Sequence, residues 1–233
     1  MSQPQSAVRN RLLKSLSTED YGLLEPHLQP FQLELRAMVT EADTAITKVF
    51  FVESGIISLL AQSPEGRIEV GMAGREGAGG VAAAFGATRN LHAMMCQGKG
   101  EALVIPAEHL KQAAQQSFSL AATLGKYLHY KTVQISQTAY ANVSLNIEAR
   151  LARWILMTDD RSDGFELSLT HEFLSLMLGT GRPGVTSALH VLEGAKMIKA
   201  ERASITVLDR DKLEYLCSDV YGLAEAEYER LFA

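Results

Sequence analysis

The sequence predicts an α+β chain: an N-terminal β jelly-roll half, a long connecting helix, and a C-terminal winged helix-turn-helix. Three observations carry this. Short apolar and β-branched runs recur between Phe31 and Ile105, residues 117–158 contain no proline and a single glycine, Gly125, and residues 169–198 hold two amphipathic helical patterns around a glycine-rich turn. The segments that follow are 1–116, 117–158 and 159–233.

In chain order, Ser17-Thr18-Glu19-Asp20 reads as a capped helix start, with a helix that ends near Pro26. Leu12, Leu13 and Leu16 give an amphipathic turn or two before it. Strand signals then dominate. Phe31 to Leu35 alternates, Val49 to Val52 and Ile56 to Leu60 are short apolar runs, and Ser63-Pro64-Glu65-Gly66 is a turn into Arg67 to Val70. Further runs lie at Ala93 to Gln97 and Ala102 to Ile105. Short strands at this spacing suggest an antiparallel sandwich or jelly roll. A short helix is expected from Glu108 to Ala114.

Along the long helix, Leu120, Leu124, Leu128, Ile135 and Leu145 supply part of a heptad seam, with Lys131, Thr138 and Asn142 in its remaining places. This predicts an imperfect coiled coil pairing two copies through Leu120, Leu124, Leu128 and Ile135; the alternative is a helix laid against its own barrel. Asp159 to Gly164 (DDRSDG) reads as a hinge loop.

Thr170 is a good N-cap for a helix that turns Phe173, Leu174, Met177 and Leu178 inward. Gly179-Thr180-Gly181 offers two glycines for the positive φ angles of a tight interhelical turn. Pro183 fits only the first turn of the next helix, where its missing N–H costs nothing. Val185, Ala188, Leu189 and Leu192 then form one buried stripe, which leaves Arg182, Thr186, Ser187, His190 and Glu193 on the opposite face. Short polar groups and one arginine suit a DNA groove. After Met197 and Ile198, polar residues 199–202 and the alternating run Ser204 to Leu208 form a hairpin, the wing. Double-stranded DNA is therefore the first partner to consider, and the contacting set is Thr170, Arg182, Pro183, Gly184, Thr186, Ser187, His190, Lys196, Lys199 and Arg202.

Composition sets the outer bounds. The 233 residues suffice for one large domain or two ordinary ones, and 47% hydrophobic content is too high for disorder. No apolar run approaches the ~18 residues of a membrane span. The first residues lack the apolar core of a signal peptide, so a cytoplasmic protein is expected. Cys96 and Cys217 are far apart in sequence and are expected as buried thiols, not as a disulfide or metal framework. The six histidines show no ligand spacing and neither GxSxG nor a P-loop occurs, so neither catalysis nor a metal or cofactor is expected.

The net charge is −5, unevenly placed: five bases face four acids from Leu169 to Arg210, and six acids face two bases from Asp211 onward. This permits DNA binding without favouring it, and a dimer would double the phosphate contacts. The acidic end leaves open a second reading, a regulatory or adaptor protein whose winged helix contacts protein.

Six segments, in this order, resemble the Crp/Fnr family of bacterial transcription regulators: FVESGIISL (Phe51 to Leu59), GREGAGG (Gly74 to Gly80), IPAEHL (Ile105 to Leu110), EARLARWIL (Glu148 to Leu156), LTHEFLSLMLGTGRPGVTSALHVLE (Leu169 to Glu193) and LDRDKLE (Leu208 to Glu214). The resemblance implies a cyclic-nucleotide-binding-like jelly roll, a homodimer paired through the long helix, a two-fold symmetric operator, and RNA polymerase as a further candidate partner. It also implies an effector site after the GREG-like turn, where cyclic-nucleotide-binding relatives place a Glu for the ribose and an Arg for the phosphate.

Here Gly77 to Gln97 holds no acid, and its one arginine, Arg89, lies at best one place off. A buried ribose hydroxyl without a partner costs about 1–3 kcal/mol, so cyclic AMP is not expected to bind. Gly77, Gly79, Gly80 and Arg89 mark the candidate effector pocket, and the sequence names no small molecule for it. Residues 1–30 lack the cysteine cluster of oxygen-sensing relatives, and His92 alone does not make a haem site. In the reading helix Arg182 matches the family, whereas Pro183 and Gly184 replace an acid and a threonine. Readout of a cytosine amino group is thereby lost, and the operator should differ from the familiar half-sites.

Overall fold

Asn10 ties the start of the chain to its centre. Its side chain caps helix α1 (Arg11–Lys14) by accepting from the Leu13 amide at 3.0 Å, and donates to the carbonyls of Val52 and Gly77, both at 2.8 Å. The buried Glu53 carboxylate takes the amides of Arg9 and Asn10. The computed structural model describes residues 3–64, 66–162, 170–201, 204–217 and 220–232. Helix α2 (Thr18–Leu24) begins as expected, with the Ser17 hydroxyl accepting from the Asp20 amide.

Eight strands follow: β1 (Gln29–Leu33), β2 (Met38–Thr40), β3 (Thr44–Ala45), β4 (Lys48–Ser63), β5 (Gly66–Ala73), β6 (Ala78–Gly79), β7 (Arg89–Asn90) and β8 (Ala93–Pro106). The main sheet is antiparallel in the order β1-β8-β4-β5, with β2 on β8, β6 on β4, and β3 paired separately with β7. Where four short runs were expected there are two long strands. Residues 49–52 and 56–60 both belong to β4, and residues 93–97 and 102–105 both belong to β8. The register slips between Val52 and Ile57 without ending the strand. Gly55, at φ +77°, makes that possible: a Cβ there would stand 2.3 Å from the Gly98 carbonyl oxygen.

Helix α3 (Ala107–Gln116) leads into α4 (Phe118–Ser144) and α5 (Ile147–Asp159). The single helix expected over 117–158 is thus two. Asn146 is extended (φ −68°, ψ 171°), and its side chain caps α5 through the Ala149 amide at 2.9 Å. Helix α4 lies on the roll. Leu120 and Leu124, expected on an intersubunit seam, are fully buried in the chain's own core with Tyr127 and Tyr130, and Leu128 and Ile135 are half-buried beside them. The roll interior is filled by Leu33, Phe50, Val52, Ile57 and Met94. Cys96 and Cys217 are buried, as expected.

The chain continues as α6 (His171–Leu178), α7 (Arg182–Gly194), β9 (Ile198–Glu201), β10 (Ser204–Val207), α8 (Arg210–Leu216) and α9 (Leu223–Phe232). Of the acidic C-terminal stretch, Glu225, Glu227 and Glu229 lie in α9, which packs against α4: Glu227 meets His129 of α4 at 3.0 Å, and Glu229 meets Arg11 of α1 at 2.6 Å. Ile56, Leu60, Met72, Ala93 and Met95 of the roll share one apolar cluster with α5, α6, α7 and α8.

Two buried polar assemblies join the roll to α5. In the first, Trp154 Nε1 donates to Glu69 Oε1 at 3.0 Å, and the Ser58 hydroxyl stands 2.5 Å from Glu69 Oε2 and 2.6 Å from Gln97 Oε1. Gln97 Nε2 donates to Thr158 Oγ1, which donates to the Trp154 carbonyl. Ser58 has one proton for two acceptors, so protonating Glu69 completes the ring. Burial pushes the Glu69 carboxyl up to about 7, against the hydrogen bonds from Ser58 and Trp154.

In the second, Arg161 Nε donates to Glu76 Oε1 at 2.7 Å and Nη2 to the Tyr130 hydroxyl at 2.8 Å. Burial would raise Glu76, but the Arg161 guanidinium overrides it and holds the carboxyl below its ordinary value. Asp159 to Ser162, expected as a hinge, is therefore pinned at Arg161; Asp163 and Gly164 lie outside the described residues.

The raised Glu69 value sets a pH dependence. Stability from a carboxyl that titrates near 7 when folded, against 4.5 ordinarily, is present in full below 4.5 and lost as pH rises through 7. Glu69→Gln supplies the same donor and acceptor without a charge. It should match the wild type at pH ~5 and exceed it at pH ~8 by up to about 3 kcal/mol. Calorimetric unfolding across that range checks this, and parallel curves would refute it.

Candidate functional site

The helix-turn-helix forms as the sequence predicts. Thr170 Oγ1 accepts from the Phe173 amide at 3.2 Å, and α6 buries Phe173, Leu174, Met177 and Leu178. Helix α7 buries Val185, Ala188, Leu189 and Leu192, with Pro183 in its first turn. The turn uses one positive φ, not two: Gly179 takes φ +57°, whereas Gly181 is extended at φ −71° and serves as the N-cap of α7. Gly179 is required twice over, since a Cβ there would also lie 2.5 Å from Ile68 Cδ1 of β5. The wing is the antiparallel pair β9 and β10, with Lys199 opposite Thr206. Arg202 lies outside the described residues.

On the outer face of α7, Arg182, Pro183, Ser187 and His190 are exposed and Gly184 is half-buried. Thr186 is half-buried, and its hydroxyl is engaged within the unit: it lies 2.8 Å from His171 Nδ1 and donates to the Arg182 carbonyl. Glu193 accepts from the Ala200 amide and so braces α7 against the wing. Val191, unassigned from sequence, is half exposed on the same face and supplies an apolar group of the kind that meets a thymine methyl. Arg182 pairs with Glu172 at 2.8 Å, and Lys199 pairs with Glu201. Both pairs are solvent-exposed and screened by water, so either cation is readily released to a phosphate or base. Lys196 is exposed at the corner before the wing, with φ +57°.

The effector residues divide. A cavity of about 520 Å³ lies between the roll and α4, and Gly79, Gly80 and Arg89 line it. Gly77 is not among its lining residues; a Cβ there would stand 2.4 Å from the Tyr127 hydroxyl, which bonds both polar groups of Ala78. Arg89 is exposed and held by the Asp43 carboxylate at 3.0 Å. Lys131, Thr132 and Tyr127 of α4 also line the cavity. Burial lowers the Lys131 amine to about 8. Among the described residues, no group of His, Cys, Asp and Glu is arranged to hold a metal, and no helix is long and apolar enough to cross a membrane.

Residues 149–216 match the family described as the Crp-like helix-turn-helix domain. The chain carries a Crp-like helix-turn-helix domain. Its fold is that of solved Crp/Fnr regulators. FixK2 of Bradyrhizobium japonicum superposes with a TM-score of 0.70 at 15% identity, over 81% of this chain and 96% of that one. A CRP-family transcriptional regulator of Thermus thermophilus gives 0.66 at 16%, over 82% and 96%. The c-di-GMP-responsive global regulator CLP of Xanthomonas campestris gives 0.65 at 17%, over 82% and 99%. No curated protein matches the chain. The matched domain begins within α5, and the structure accordingly packs α5 with α7 and α8.

The Gly179 contact gives a direct test. Gly179→Ala adds a strained left-handed residue and a collision with Ile68, and should destabilise the protein by about 1–2 kcal/mol or more. Adding Ile68→Ala should recover the collision but not the backbone strain. Urea unfolding of the two variants measures this, and a wild-type midpoint for Gly179→Ala would exclude the turn as drawn.

Proposed function

We propose that the protein is a Crp/Fnr-type transcription regulator that acts as a homodimer, reads a two-fold symmetric operator with α7 in the major groove, and does not depend on cyclic AMP. The observation that carries this is α7 itself. It is anchored by four buried apolar residues, and it presents Arg182, Ser187, His190 and Val191 outward beside a β wing. The N-terminus of α6, capped by Thr170, suits a backbone phosphate, and Lys196 and Lys199 suit a second. Independence from cyclic AMP is supported by the cavity: no Asp or Glu is among its described lining residues to accept a ribose hydroxyl, and Arg89 is held at its rim by Asp43. The adaptor reading rested on the acidic C-terminal stretch, whose Glu227 and Glu229 have partners within the chain.

If α7 enters the groove by its leading end, Arg182→Ala should weaken specific binding by about 1–3 kcal/mol and relax preference at one base pair per half-site. Lys199→Ala should weaken all sequences alike and lower the salt slope by about one per phosphate contact. Titrations on a selected palindrome and on scrambled DNA, with and without cyclic AMP, check this. Equal affinities for wild type and Arg182→Ala would remove α7 from the interface.

Pairing is assigned to the outer face of α4. Phe118, Ala122, Gly125, His129, Thr132, Ser136, Ala139 and Val143 follow a heptad spacing there, with Phe118 88% and Val143 90% exposed. Ala122, Gly125, Thr132, Ser136 and Ala139 are small enough to permit close approach of a second α4, on either side of His129, which Glu227 holds. Ala122→Glu with Ala139→Glu should convert a dimer to a monomer without loss of helicity, read by light scattering. A wild type that is monomeric at micromolar concentration would refute the assignment.

A further inference from the structure

The cavity between the roll and α4 has mostly apolar walls and a set of polar side chains, Arg89, Asn90, His92, Lys131 and Thr132. Ile57, Leu59, Met94, Val81, Leu128 and Ile135 make it chiefly aliphatic. Tyr127 and His92 are its aromatic rings, and the Tyr127 hydroxyl is already spent on Ala78. Of its two permanent cations, Arg89 is held by the Asp43 carboxylate, which leaves Lys131. Its Nζ donates to the Met72 carbonyl and to Gln134 Oε1, both at 2.7 Å. An ammonium carries three N–H groups, so one donor is left for an occupant.

No carboxylate among the described residues forms an ion pair with Lys131. Glu76 and Glu69, the acids that act on it through space, are committed to Arg161 and Trp154. A cation placed at an apolar wall without a counter-ion is costly unless an anion arrives with its own apolar body. The volume, about 520 Å³, falls within the range of small-molecule sites, and methionine and aliphatic walls adapt to a flexible occupant.

We propose that this cavity binds an apolar small molecule carrying a single negative charge, in the simplest case an aliphatic monocarboxylate, with the carboxylate on Lys131 Nζ and the chain among the aliphatic walls. The lowered basicity of Lys131 fits an amine awaiting such a partner. Gln134, which accepts from Lys131, donates in turn to the Tyr130 hydroxyl at 3.1 Å, and Tyr130 accepts from Arg161. An occupant that draws on Lys131 therefore pulls at the assembly that fastens α5. That occupancy changes DNA affinity rests on the regulatory reading above; the binding itself does not.

The test is calorimetry on the full chain, without DNA, using decanoate and its neutral counterpart decanol. Decanoate should bind saturably in the micromolar range and decanol about tenfold more weakly or worse. Lys131→Met should erase the preference for the acid while leaving decanol binding. Ile135→Trp, which enlarges a half-buried side chain on the cavity wall, should abolish both. The proposal is overturned if decanoate shows no saturable binding, if the preference survives Lys131→Met, or if Ile135→Trp binds as the wild type does. A chain that binds decanoate but no DNA would instead refute the regulatory reading alone.

Discussion

The ion pair between Arg161 and Glu76 constrains the placement of everything around it. Two charges this deeply buried repay their desolvation only when each remaining donor and acceptor is met, and losing one partner costs about 3–5 kcal/mol. Here three segments of the chain supply the partners. Glu76 takes the Gly74 amide as well as the guanidinium, and Arg161 reaches the Tyr130 hydroxyl and the Met157 carbonyl. Gly74 must lack a side chain, since a Cβ would fall 2.8 Å from the Arg161 side chain. The turn after β5, the middle of α4 and the end of α5 are thereby fixed to one point.

Helix α4 serves three surfaces at once. Leu120, Leu124, Tyr127 and Tyr130 point into the core, Lys131 and Ile135 border the cavity, and the face from Phe118 to Val143 is turned outward. A single helix thus touches the candidate ligand, the candidate partner subunit and the Arg161 anchor.

Local pattern foretold what local chemistry decides. The caps at Ser17 and Thr170, the stripe from Val185 to Leu192 and the wing could be read because each depends on residues a few places apart. The strand merger was hidden because Gly55 is demanded by Gly98, a neighbour on another strand. The break at Asn146 carried a legible signal, a capping residue two places before Glu148, which an unbroken helical composition outweighed. The heptad leucines were misplaced for a related reason: periodicity marks a buried face but not what buries it, and for Leu120 and Leu124 it is the roll. In the candidate sites, Arg182, Ser187 and His190 were legible from helical spacing. Lys131 was not, because its importance lies in walls contributed by distant strands.

The apolar cluster shared by Ile56, Leu60, Met72, Ala93 and Met95 with the helices of the C-terminal half bears on how such a chain can change. Each half leaves apolar surface that only the other covers. In this arrangement the halves are not interchangeable cassettes: a roll transplanted from another protein of this fold would have to bring matching side chains for that shared wall, or leave the helices around Trp154 facing water. Divergence in one half is answerable to the other, position by position.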